Sequence, residues 1–345
     1  MKISYKPLEL KLKHPFNIAR FSRTSTPILL LQIDHEDFTG FGEASMVPYM
    51  GESVSSAVDF LSKIDASYLK YPFNFDEIIL YLDDIASGNP NIKAAVDIAL
   101  HDLKGKIENK PCYTFFGSDP AKMPETSFTI GIDTPEIILE KLKDAEHCKI
   151  IKVKLGRDND RQLIQTIRSV SNKPLFIDAN QGWTDRNEGL EMVHFLAENG
   201  AILIEQPMAR EDIDSNAWIT ENSPISIIGD ESVQRFDDVV KAKGVYHGIN
   251  VKLMKSAGMH EAYRMIKKAR ELYLKVMIGS MSESSCAILA ATALAPLCDW
   301  ADLDGPFLTL NNPYPQPDFM DGKWVLNDHP GLGLNGEVKN KKQSK

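Results

Sequence analysis

The chain has 345 residues, 43% hydrophobic and 25% charged, which is more than one small core holds, so two domains or a large barrel with an appendage are expected. A formal net charge of −9 argues against nucleic acid as a partner. The N-terminus has no apolar signal core and no stretch approaches the roughly 18 apolar residues of a membrane span, so the expected location is cytoplasmic and no membrane partner is expected.

Residues 3–12 and 27–34 read as strands, joined by a charged connection over 17–24, with a third short strand before the turn at Gly40-Phe41-Gly42. From about 53 to 108 the pattern is helical, and Lys93–Leu103 carries apolar residues at i, i+3, i+4 and i+7. We expect residues 1–122 to form an α+β unit. Beyond Pro120 and Pro124 the rhythm changes to short apolar strands alternating with helical stretches. The strands are 127–131, 150–155, 174–178, 201–205, 225–230, 248–253, 274–279 and 300–304. Eight βα units imply an α/β fold, a closed (β/α) barrel over 123–310. An open doubly wound sheet is the alternative, but no Gly-rich phosphate loop follows any strand. Cys112, Cys148, Cys286 and Cys298 have no CxxC spacing, which suggests neither a disulfide framework nor a zinc knuckle. The basic tail 339–345 reads as a solvated end.

Each strand carries a polar residue at or near its carboxyl end: Thr129, Lys154, Asp178, Glu205, Asp230, Lys252, Ser280 and Asp302, spaced 22 to 28 residues apart. In a barrel these ends converge on one mouth. Lys152 and Lys154 lie two apart on a strand and so face the same side. A buried lysine must be paired or have its pKa lowered, and a lysine of lowered pKa is a base able to take a proton from carbon. The plainer reading is an edge strand with two solvated lysines. Asp178, Glu205 and Asp230 come from three consecutive strands and would repel one another unless a hard cation neutralised them; oxygen-only ligands favour Mg²⁺ over zinc. Helix N-capping is the alternative for any one aspartate, but it does not explain Glu205 or the lysines. Lys154 and Lys252, on the second and sixth barrel strands, would flank a substrate α-carbon from opposite sides, the arrangement of a racemase or epimerase.

Together, Lys152-Val153-Lys154, Asp178-Ala179-Asn180, Glu205-Gln206-Pro207, Gly229-Asp230-Glu231-Ser232, Asn250 to Lys255, Gly279-Ser280-Met281 and Asp302-Leu303-Asp304-Gly305-Pro306 carry a family pattern. The chain resembles the muconate-lactonizing-enzyme subgroup of the enolase superfamily, and within it the dipeptide epimerases. The resemblance implies an N-terminal α+β capping domain, the barrel, and an end segment, 311–345, returning to the cap. It implies a Mg²⁺-dependent 1,1-proton transfer through a metal-stabilised enediolate, with dipeptides of the L-Ala-D/L-Glu type as substrate and a role in cell-wall peptide breakdown. Lys154 would serve the (R)-substrate and Lys252 the (S)-substrate. Lys152 would hold the substrate carboxylate and lower the pKa of Lys154. The acidic pair Asp302 and Asp304 would grip the free amine. A cation from the cap, Arg20 or else Arg23, would meet the glutamate side chain, and Thr129, Ser280 and Ser282 would hydrogen-bond the peptide. An o-succinylbenzoate synthase or N-acylamino acid racemase of the same subgroup, or a non-catalytic metal-stabilised binding protein, remains an alternative. A homo-oligomer is compatible with the resemblance, though the sequence shows no interface.

Overall fold

The computed structural model describes residues 1–17, 22–156 and 159–334. The N-terminal unit begins with three antiparallel strands in the order β1 (Lys2–Asn17), β2 (Ser22–His35), β3 (Phe38–Ser45). Both long strands extend further than the hydrophobic pattern suggests: Asn17 pairs with Ser22, so pairing runs into the stretch expected as a connection. The stretch is polar, with Ser22 and Thr24 exposed, so no apolar alternation marks it as strand. Three helices follow, α1 (Val54–Ser62), α2 (Phe75–Ile85) and α3 (Pro90–Ile107). Gly40 and Gly42 let α3 lie directly on β3, since an added Cβ would come within 2.0 Å of the carbonyl oxygens of Ala99 and Ala95.

Eight parallel strands then alternate with helices: β4 (Ser127–Ile130), α4 (Pro135–Asp144), β5 (Ile150–Lys154), α5 (Asp160–Arg168), β6 (Leu175–Asp178), α6 (Arg186–Glu198), β7 (Ala201–Glu205), α7 (Ile213–Asn222), β8 (Ser226–Gly229), α8 (Phe236–Ala242), β9 (Gly248–Lys252), α9 (Met259–Glu271), β10 (Lys275–Gly279), α10 (Ser285–Thr292) and β11 (Trp300–Asp302). They pair in sequence order from β4 to β11, and a bridge between Thr126 and Ala301 brings the last strand back to the first. Outward residues of the strands join the helices in one large core. Inward residues Ile150, Phe176, Leu203, Ile228 and Met277, with Trp300 against them, fill the lower lumen as a separate apolar plug.

The two units are riveted together. Asp97 on α3 accepts from the backbone N–H of Met259 at the start of α9. Arg235, before α8, forks onto Glu261 of α9 and Asp83 of α2, at 2.7 and 2.9 Å. Glu43 on β3 accepts from the backbone N–H and the hydroxyl of Ser284, at the start of α10. Among the described residues no helix is long and apolar enough to cross a membrane.

Candidate active site

Register sets the site. Lys154 pairs with Asp178 and Asp178 with Glu205, so these three stand level on β5, β6 and β7. Glu205 pairs with Ile228, which puts Asp230 just past the carboxyl end of β8. Across the lumen, Gly279 on β10 is the register partner of both Lys252 and Asp302. A Cβ at Gly279 would lie 2.7 Å from the Asn250 side-chain oxygen, so glycine there makes room for the Asn250 amide.

The lysines are buried and paired, which excludes the reading of a solvated edge strand. Lys152 Nζ donates to Glu205 Oε2 at 2.5 Å and Asp302 Oδ2 at 2.7 Å, and lies 3.1 Å from Asp178 Oδ2. Lys154 Nζ donates to Asp178 Oδ2 at 2.5 Å. Lys252 Nζ donates to Asp230 Oδ2 at 2.8 Å and stands 3.7 Å from Glu205 Oε1. Lys255, which the strand pattern does not single out, donates to Asp230 Oδ1 at 2.5 Å and to the carbonyls of Asp230 and Asn250. Asn250 Nδ2 donates to Glu205 Oε1 at 2.6 Å. Asn250 sits two residues before Lys252 on the same strand face, a period-two signal that was available in the sequence.

These contacts set the charges. Against the cost of burial, Lys154 and Lys152 hold Asp178 well below the usual carboxylate range, and Lys252 and Lys255 do the same for Asp230. Glu205, between them, is pushed up to about 8 by burial and by the charge of Asp178. Burial also opposes charge on Lys152 and Lys252, but neighbouring acids outweigh it: Asp302, Glu205 and Asp178 around the first, Asp230 and Glu205 around the second. Both ammonium groups are therefore held well above their ordinary value.

The donor set fits a hard divalent cation. It is all oxygen, from three adjacent strands, and one point charge, the Lys152 ammonium, already lies within 3.1 Å of two of the three carboxylates. Each of the three carboxylates is paired with a lysine: Asp178 with Lys154, Glu205 with Lys152 and Asp230 with Lys252. The Oδ1 of Asn250 and the Oε2 of Glu231 are buried beside the cluster without hydrogen-bond partners.

Above the cluster lies a cavity of about 550 Å³ lined by Lys152, Lys154, Lys252, Asp230, Thr129, Ser280, Ser282, Asp302 and Asp304, and from the N-terminal unit by Phe16, Arg23 and Tyr49. The structure thus brings every sequence-derived site residue within its described range to this mouth, with Asp178 and Glu205 just beneath the lining. Arg20 lies outside the described residues. Arg23 reaches Ser282 Oγ at 2.7 Å, and its guanidinium lies 5.1 Å from the Phe16 ring centroid. Asp302 accepts from Lys152 and from Ser127 Oγ at 2.7 Å. Asp304 accepts from the backbone N–H of Thr129 at 2.6 Å and is pushed up to about 7 by burial and by Asp302. Tyr49, whose hydroxyl meets Met281 Sδ at 2.9 Å, escaped sequence reading because nothing local ties it to a barrel loop 232 residues away.

Residues 3–117 match the mandelate racemase / muconate lactonizing enzyme N-terminal domain, and residues 138–339 match the enolase C-terminal domain-like family. The chain belongs to this family. It is 48% identical over 335 residues to the L-Ala-D/L-Glu epimerase of Bacteroides thetaiotaomicron, covering 97% of this chain and 88% of that one. Family members of known structure have the same fold. One is the dipeptide epimerase of Enterococcus faecalis complexed with Mg and L-Leu-L-Tyr, at TM-score 0.87 and 29% identity, covering 96% of this chain and 98% of that one. Another is the substrate-liganded L-Ala-D/L-Glu epimerase of Bacillus subtilis, at TM-score 0.89 and 25% identity, covering 97% and 98%.

Proposed function

We propose that the protein is a Mg²⁺-dependent dipeptide epimerase acting on L-Ala-D/L-Glu or a near relative by two-base 1,1-proton transfer. The observation that carries this reading is the placement of Lys154 and Lys252, on the second and sixth strands of the barrel, in the walls of a single cavity. Lys154 takes the α-proton of the (R)-substrate while Lys252 delivers one to the opposite face, and the roles reverse for the (S)-substrate. Lys152 grips the substrate carboxylate. Asp178, Glu205 and Asp230 hold Mg²⁺, which supplies positive charge against the negative charge that develops when the α-proton leaves.

Asp302 and Asp304 receive the free ammonium group of the dipeptide, and Thr129, Ser280 and Ser282 hydrogen-bond its backbone. Arg23, with Arg20 just before it in the sequence, supplies the cation for an acidic side chain at the epimerised position. Residues 1–122 act as the cap, 123–310 as the catalytic barrel and 311–345, of which 335–345 lie outside the described residues, as the return to the cap. The enzyme works in the cytoplasm on cell-wall peptides, and self-association is compatible with this reading. Support comes from the relatives: the Bacteroides protein named as an L-Ala-D/L-Glu epimerase, and the Enterococcus enzyme complexed with Mg and a dipeptide.

The test is α-proton exchange in D₂O across a panel of free dipeptides and N-succinyl amino acids. Exchange with the dipeptides supports the proposal. Exchange with the acylated amino acids alone contradicts it, because those substrates leave the acidic pair without an amine to hold.

A further inference from the structure

We propose that Leu308 and Phe16 wall off the end of the cavity beside Asp302 and Asp304, and so restrict the N-terminal residue of the substrate to a small side chain. This inference rests on the reading of the acidic pair as the ammonium site. After β11 the chain turns at Asp304 into one helical turn, Gly305–Leu308. Leu308 follows Asp304 by four residues, so one helical turn sets the two on the same side. Phe16 arrives from β1 on the other unit. Both line the cavity together with Thr129, Asp302 and Asp304.

Among the described residues, little space adjoins these two side chains. The adjoining void, which Leu308, Phe16, Thr129, Phe128 and Phe307 share, measures about 20 Å³, room for about one water. With an ammonium on the acidic pair, the Cβ of that residue lies two bonds from the nitrogen, on the order of 2.5 Å, and its side chain extends into the part of the cavity that Leu308 and Phe16 line with the two aspartates.

The wall is also held from behind. Leu310 N donates to Lys11 O at 2.9 Å, Asn311 Oδ1 accepts from Lys11 N at 2.7 Å, and Asn311 Nδ2 donates to Glu9 O at 2.8 Å. Leu12 and Thr309 form a bridge, and Phe307 stacks on Trp324 with ring centroids 4.8 Å apart. A larger side chain would have to displace this seam between β1 and the chain after the barrel, and packed interiors resist such shifts.

The experiment compares kcat/KM for Gly-Glu, Ala-Glu, Ser-Glu, Val-Glu, Leu-Glu and Phe-Glu in the Mg²⁺-loaded enzyme, read by α-proton exchange in D₂O. The wild type should favour Gly, Ala and Ser and lose at least about tenfold at Val and more at Leu, the scale of discrimination a few methylene groups produce. Leu308→Ala should raise the Leu-Glu to Ala-Glu ratio about tenfold, mainly through KM. Leu308→Phe should move the preference towards Gly-Glu. If Leu308→Ala does not fold, the milder Leu308→Val should shift the ratio the same way by less. A flat wild-type series, or an unchanged ratio in folded Leu308 variants, overturns the inference and leaves the epimerase reading intact. Exchange with none of the dipeptides removes both.

Discussion

The floor and the mouth of the barrel are built from the same inward-facing files of residues, two positions apart. Ile150, Phe176, Leu203, Ile228, Met277 and Trp300 make the floor; two residues on stand Lys152, Asp178, Glu205, Asp230, Gly279 and Asp302. One step of the pleat, about 7 Å along each strand, separates an apolar plug from a cluster of charges. Below, each buried side chain stabilises the fold by about 1.5–3 kcal/mol. Above, every buried charge costs stability unless a partner offsets it, and the lysines and acids offset one another. Stability and chemistry are thus stacked in one lumen, and the barrel keeps them apart by position along the strand.

The largest separation between the two layers should appear on chelation. EDTA should reduce turnover to background and Mg²⁺ restore it, with a rise in melting temperature corresponding to about 2.7 kcal/mol at a hundredfold excess over Kd. Asp178→Asn should lose the Mg²⁺-dependent part of that rise, since its carboxylate belongs to the mouth. Leu203→Ala, in the floor, should cost about 2–5 kcal/mol of stability by denaturant unfolding while keeping the Mg²⁺ shift. If Leu203→Ala abolished Mg²⁺ binding in folded protein, the two layers would not be separable.

A smaller effect lies at the edge of the mouth. Glu283 is buried, accepts from the backbone N–H of Met281 at 2.8 Å, and is pushed up to about 8 by burial from an ordinary value of 4.5. The unfolded chain releases this proton near pH 4.5 while the folded chain keeps it to about pH 8. Between those values the unfolded state binds fewer protons, so stability falls as pH rises. Glu283→Gln should flatten that slope in melting temperature and gain a few degrees near pH 8, and an unchanged slope would refute the assignment.

Much of this was legible in the sequence because a barrel repeats. Polar residues at the ends of eight apolar strands, one βα unit apart, locate the mouth without coordinates, and the period of two places Lys152 and Lys154 on one face. What the sequence hid was made by distant contacts. Asn17 pairs with Ser22 in a stretch that reads as a loop, because its residues are polar and show no apolar alternation. Lys255 lies in the turn after β9, where no strand period applies, yet it makes two bonds to Asp230 and one to the Asn250 carbonyl. Arg23 meets Ser282, and Glu43 meets Ser284, across more than 200 residues of chain. The acids that surround Lys152 and Lys252 were equally out of reach, since they come from strands far apart in the chain.

The central claim is that two lysines serve opposite faces of one α-carbon. It is tested most directly by following α-proton exchange in D₂O for each pure epimer of Ala-Glu with Lys154→Ala and Lys252→Ala. Each variant should lose interconversion. Lys154→Ala should still exchange the (S)-epimer through Lys252, and Lys252→Ala the (R)-epimer through Lys154. Interconversion that survives in either folded variant, or exchange of the wrong epimer, would contradict the account.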